Sequence, residues 1–64
     1  MDKLMTFSEV ADRLSVSEPT LRYLVVQGRA PKSFKVGRRR MFRPADVEAF
    51  VDAQIAKAEA EAVA

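Results

Sequence analysis

The side chains in this sequence that could do chemistry are basic, and they are crowded together. Between Glu18 and Asp46 stand eight basic residues, Arg22, Arg29, Lys32, Lys35, Arg38, Arg39, Arg40 and Arg43, and no acidic one. Only Lys3, Arg13 and Lys57 lie elsewhere, and all nine acidic residues sit at or outside the borders of that window. The formal net charge of +2 therefore conceals a segregated field. Such a field suits a polyanion, because each Lys or Arg that meets a phosphate releases a condensed counterion. The plain alternative is a solvated cationic surface with no partner. Bond-making chemistry has much less to draw on. There is no cysteine, no histidine, no glycine-rich phosphate loop and no metalloprotease motif. Zinc ligation and a disulfide lack their residues, so neither a metal nor a cofactor is expected. Tyr23 is a conceivable phosphodiester nucleophile, but the chain lacks room for the basic pocket of a recombinase. Asp46, Glu48 and Asp52 are expected on the exposed side of a short helix. No catalytic residue is assigned, and the chain is read as a non-enzyme without a small-molecule ligand.

Sixty-four residues are near the lower limit at which one hydrophobic core folds without a staple, so a single small domain must position these side chains. No apolar run is long enough to span a bilayer and no signal-peptide core opens the chain. A soluble protein of the cytoplasm of a bacterial host cell is expected, with no membrane partner. Phe7, Val10, Ala11 and Leu14 recur at helical spacing, and Thr6 with Glu9 forms a capping box. Ser15-Val16-Ser17 interrupts the pattern. Ser17 is a good N-cap and Pro19 suits a first turn, so a second helix starts there, with Leu21, Leu24 and Val25 as its apolar stripe and Gly28 as its stop. Two short helices joined by a tight turn describe a helix-turn-helix. Pro19, Tyr23 and Val26 then point away from the core, with Arg22 on one flank and Thr20 and Gln27 on the other. That face suits a DNA groove, where Arg reads guanine or grips phosphate and apolar atoms meet thymine methyls. Ser17, Pro19, Thr20, Arg22, Tyr23, Val26 and Gln27 are the candidate recognition-helix residues.

From Lys32 the period changes. Phe34-Lys35-Val36 alternates, Arg40-Met41-Phe42-Arg43 returns as its partner, and Gly37, Arg38 and Arg39 make the turn. Phe34, Val36 and Phe42 are expected to face the core, with Met41 in place of Phe42 if the register slips by one. A two-stranded hairpin is marginal alone, so it must lie against the helices. Its basic tip reads as a wing for phosphates or the minor groove, with Lys35, Arg38, Arg39 and Arg40 as candidate contacts. Arg43-Pro44-Ala45-Asp46 opens a third helix with Val47, Phe50, Val51 and Ile55 as its buried stripe. The division expected is a winged helix-turn-helix over 1–55 and an Ala-rich helical extension or frayed tail over 56–64. The fold class is mainly α with a small β-hairpin.

Ser15-Val16-Ser17-Glu18-Pro19-Thr20-Leu21-Arg22-Tyr23 resembles the helix-turn-helix of the MerR superfamily. Phe34-Lys35-Val36-Gly37-Arg38-Arg39-Arg40-Met41-Phe42-Arg43 is similar to the wing of its small excisionase and AlpA-like branch, and Asp46-Val47-Glu48-Ala49-Phe50-Val51 resembles the helix that follows. The resemblance covers roughly Met5 to Val51 and is closest to phage excisionases, or recombination directionality factors, of the mycobacteriophage kind. It implies a protein that lines up in several copies on double-stranded DNA, bends it and helps a phage integrase build the excisive complex. Full MerR regulators continue into a dimerisation helix and an effector region, which are not expected here. The free protein is therefore expected to be monomeric, with head-to-tail assembly on DNA in which Glu9, Asp12, Glu48 and Asp52 meet basic residues of a neighbouring copy. The alternatives are a small AlpA-like transcriptional regulator and, in a different class, a protein-interaction adaptor whose basic face docks an acidic protein.

Overall fold

The computed structural model describes residues 3–63 and holds six elements: β1 (Met5–Thr6), α1 (Phe7–Arg13), α2 (Glu18–Val26), β2 (Ser33–Val36), β3 (Arg39–Phe42) and α3 (Pro44–Val63). The strands form one antiparallel sheet in the order β1-β3-β2. The expected hairpin is thus the larger part of a three-stranded sheet. Its extra strand, β1, is too short to carry a periodic signal, and it ends on the residue that caps α1.

The capping box forms as its residue types dictate. The Thr6 N–H donates to Glu9 Oε1 at 2.8 Å and the Glu9 N–H donates to Thr6 Oγ1 at 3.1 Å. The Thr6 N–H, aided by its hydroxyl, holds the Glu9 carboxyl below its ordinary pKa. A carboxyl depressed in the folded state contributes stability that is complete above its unfolded pKa and is lost as pH falls through the folded one. Wild-type stability should therefore fall more than that of Glu9→Gln as pH drops below about 4.3. Urea unfolding across a pH series reads the difference, and parallel curves would remove Glu9 from the acid response.

Both helices of the helix-turn-helix end alike. After α1, Ser15 N–H bonds Asp12 O and Val16 N–H bonds Ala11 O; after α2, Gly28 N–H bonds Val25 O and Arg29 N–H bonds Leu24 O. These are paired Schellman closures around a left-handed residue. Gly28 takes that conformation freely at φ +70°, whereas Ser15 adopts it at φ +59° at a cost of about 1 kcal/mol. The tight turn between the helices is held in spite of its sequence.

Val10, Ala11, Leu21, Phe42 and Val47 form the buried core, with Met5, Phe7, Leu14, Val16, Val25 and Ala30 packed around it. Each helix and β3 contributes, so the wing is fastened to the helix-turn-helix through Phe42. The expectation for the other wing residues is overturned. Phe34 is 40% and Val36 52% exposed. Turn length is the reason. A three-residue turn over Gly37–Arg39 would set Phe34 opposite Phe42, on the same face. The turn has two residues, Gly37 (φ +64°) and Arg38, and pairs Val36 with Arg39, Phe34 with Met41 and Ser33 with Phe42. Gly at the first central position with positive φ is the signature of a type II′ hairpin. Shortening the loop by one residue turns Phe34 and Val36 outward with Met41 and Arg39, and turns Lys35 and Arg40 to the face of Phe42.

The third helix runs unbroken for 20 residues, through the Ala-rich stretch read as its helical extension. Val47 is buried and Phe50 and Val51 are half-buried, but Ile55 is 51% exposed, so the buried stripe ends a turn earlier than its spacing suggests. Asp46 is half-buried and pairs with Arg43 at 3.0 Å. Arg13 of α1 grips Glu48 of α3 through Nε–Oε1 (3.2 Å) and Nη2–Oε2 (3.0 Å). Both partners are largely exposed, so this link contributes at most about 1 kcal/mol. Among the described residues, no helix is long and apolar enough to cross a membrane.

Candidate nucleic-acid interface

Packing of Leu21 into the core fixes the rotation of α2. It leaves Val26 79% and Tyr23 60% exposed, with Pro19, Thr20, Arg22 and Gln27 also at the surface. Several of these side chains are preset. Ser17 caps the helix by accepting from the Thr20 N–H at 3.3 Å, and its hydroxyl donates to Thr20 Oγ1 at 2.8 Å. Gln27 Nε2 donates to the Tyr23 hydroxyl at 2.8 Å, one turn away. The Arg22 guanidinium lies 5.6 Å from the centroid of the Phe7 ring, and that ring lies 6.2 Å from Phe42. A cation–π contact at an exposed site is worth about 0.5–1 kcal/mol, enough to bias where Arg22 points.

The wing closes against the Arg22 side of this helix. A cleft of about 360 Å³ is lined by Phe7, Glu18, Arg22, Val25, Val26, Arg38 and Arg40. It brings together Arg22 and Val26 of the recognition helix with Arg38 and Arg40 of the wing. Arg40 is steadied there, since its Nη1 donates to Ser33 Oγ at 2.6 Å across the hairpin. Lys35 is exposed and stands opposite Arg40 in the strand pairing. Arg39 departs from the group. It shares the other sheet face with Val36, and lines an adjoining groove with Thr6, Phe7, Ser8, Arg40 and Met41, of which only Phe7 and Arg40 also line the cleft. Tyr23, Gln27, Pro19 and Thr20 are not among the cleft residues. The three consecutive arginines are therefore not equivalent: Arg38 lies in the turn, and strand alternation sends Arg39 and Arg40 to opposite faces.

Electrostatics follow the segregated sequence. Among the described residues, Arg43 is the only basic residue of the window with a carboxylate in ion-pair range. The other seven have no carboxylate in ion-pair range among the described residues. Two residues of this surface escaped the sequence reading. Phe7 was legible as a core position, but its contact with Arg22 spans two helices and leaves no local signal. Glu18 marks the border of the basic window, and its place inside the cleft depends on where the wing lies.

An exposed second helix, a hairpin wing fastened to the first helix by one buried aromatic, and a cationic cleft between wing and second helix define a winged helix-turn-helix, a double-stranded DNA-binding module. Residues 4–55 match the family described as "Helix-turn-helix domain", and the chain belongs to that family. No curated protein and no solved structure matches it.

Proposed function

We propose that the protein is an excisionase, a recombination directionality factor. In this reading it binds attachment-site DNA with further copies of itself, bends it, and helps a phage integrase carry out excision without making or breaking a bond itself. The observation that carries the DNA-binding part is the cleft in which Arg22 of the recognition helix and Arg38 and Arg40 of the wing converge. The excisionase part is supported by the resemblance of residues 34–43 to the wing of the small excisionase and AlpA-like branch, beside the MerR-like helix-turn-helix of residues 15–23. Bending a site costs roughly 1–6 kcal/mol, which contacts from the helix in one groove and the wing on the flanking backbone would offset. A single small module buries about 600–1,000 Å² on DNA, so neighbouring copies or a DNA-bound partner supply the rest of the selectivity. Of the acidic residues outside the basic window, Glu9 and Glu48 are engaged within their own fold, whereas Asp12 and Asp52 are exposed and remain suited to meet a neighbour. Each such exposed pair adds only about 0–1 kcal/mol.

The test is an in vitro recombination assay with the cognate integrase, scoring excision and integration with and without this protein. Stimulated excision is expected. No effect on either direction, together with occupancy of a promoter, would favour the AlpA-like regulator. Arg22 and Tyr23 are assigned the centre of the recognition contact. Arg22→Ala should weaken binding to the preferred site by about 1–3 kcal/mol while the circular dichroism spectrum stays folded. Unchanged affinity in the folded variant would remove Arg22 from the contact.

A further inference from the structure

Among the described residues, Glu18 is the one acidic side chain that lines the cleft between α2 and the wing, where it stands with Arg22, Arg38 and Arg40. It is the first residue of α2, directly after the Ser17 cap, and it is exposed. Among the described residues its carboxylate makes no hydrogen bond, and no arginine reaches ion-pair distance. A negative charge in the first turn of a helix is favourable wherever on that turn it sits. That benefit accounts for an acid at this end of α2 and says nothing of the side it takes, which is the side of the wing.

The chemistry of that side is selective. An ionised carboxylate only accepts hydrogen bonds, and phosphate oxygens only accept them too, so Glu18 repels the backbone that its arginine neighbours attract. Base edges in the major groove do offer it donors, and the cytosine N4 amino group is the natural partner of Glu. The first turn of a recognition helix is also the part that reaches base edges in helix-turn-helix complexes. We propose that Glu18 is a specificity-determining residue: it accepts a hydrogen bond from a cytosine amino group, and its charge lowers the affinity of the same surface for unrelated sequence. Discrimination then comes from a repulsive element beside the attractive ones. The inference rests on the DNA-binding reading above.

The experiment is selection from randomised duplexes by wild type, Glu18→Gln and Glu18→Ala at one salt concentration. Affinities are then measured on the wild-type consensus and on an unrelated duplex. Wild type should select a C·G pair at one position. Glu18→Gln should shift that position toward A·T, because an amide pairs with adenine N6 and N7, and Glu18→Ala should lose preference there by about tenfold. Both variants should bind the unrelated duplex more tightly than wild type. An unchanged consensus with unchanged discrimination in both variants overturns the inference, whether or not overall affinity rises. So does a wild type that retains duplexes without enriching any sequence, a result that leaves the DNA-binding reading standing. A wild type that retains no duplex at all overturns that reading, and the inference with it.

Discussion

Phe42→Ala is expected to unfold the domain, whereas Phe34→Ala, eight residues earlier on the paired strand, leaves it folded. Phe42 is fully buried, touches the Phe7 ring, and is the core residue contributed by the sheet. Truncating a buried Phe costs about 3–5 kcal/mol in lost transfer energy and residual cavity. A core of this size rarely supplies more than about 3–5 kcal/mol in total, so little of the variant should remain native. Phe34 is 40% exposed on the outer sheet face beside Val36 and Met41, and its truncation should cost at most about 1 kcal/mol. Urea or thermal unfolding followed by circular dichroism compares the two. Equal destabilisation would mean that both rings are inside, which requires the three-residue turn and the other register.

That pair of residues also marks where the sequence stopped being readable. The two helices of the helix-turn-helix follow from local rules that leave marks in the chain: Thr6 with Glu9, Ser17 before Pro19, and apolar positions at 3.6 spacing ending at Gly28. The division of polar and apolar faces on α2 needed nothing beyond that spacing. The wing was legible as a hairpin but not in its register, because Phe34-Lys35-Val36 and Arg40-Met41-Phe42 alternate equally well in either pairing. One residue in the loop decides, and Gly-Arg-Arg holds both options. Ile55 failed for a different reason. Its spacing continues the stripe of α3, but the body of the domain ends before the helix does, and periodicity carries no information on where a partner surface stops. The cleft itself is a tertiary fact. Phe7 meets Arg22 across two helices, and Glu18 and Arg38 line one cleft only once Phe42 has fixed the sheet against α1.

Placement of the wing arginines makes the last expectation sharper than their run of three suggests. Removing Arg38 and Arg40 together should lower the salt slope of duplex binding by about two, since each phosphate contact contributes about 0.9 to it. The loss should be similar on any sequence, because backbone contacts carry no base information. Arg39→Ala should change the slope far less, as its strand position places it on the face of Val36 and away from Arg22. Arg40 has a second duty in its hydrogen bond to Ser33, so Arg40→Ala is compared with Arg40→Lys, which keeps the charge and should keep most of the slope. Fluorescence anisotropy of a labelled duplex across a salt series measures all of these. A triple variant with the wild-type slope would take the wing out of the interface altogether. A slope lost with Arg39 and retained without Arg38 and Arg40 would instead put the DNA on the outer face of the sheet, against Phe34 and Val36, and the cleft would then face solvent.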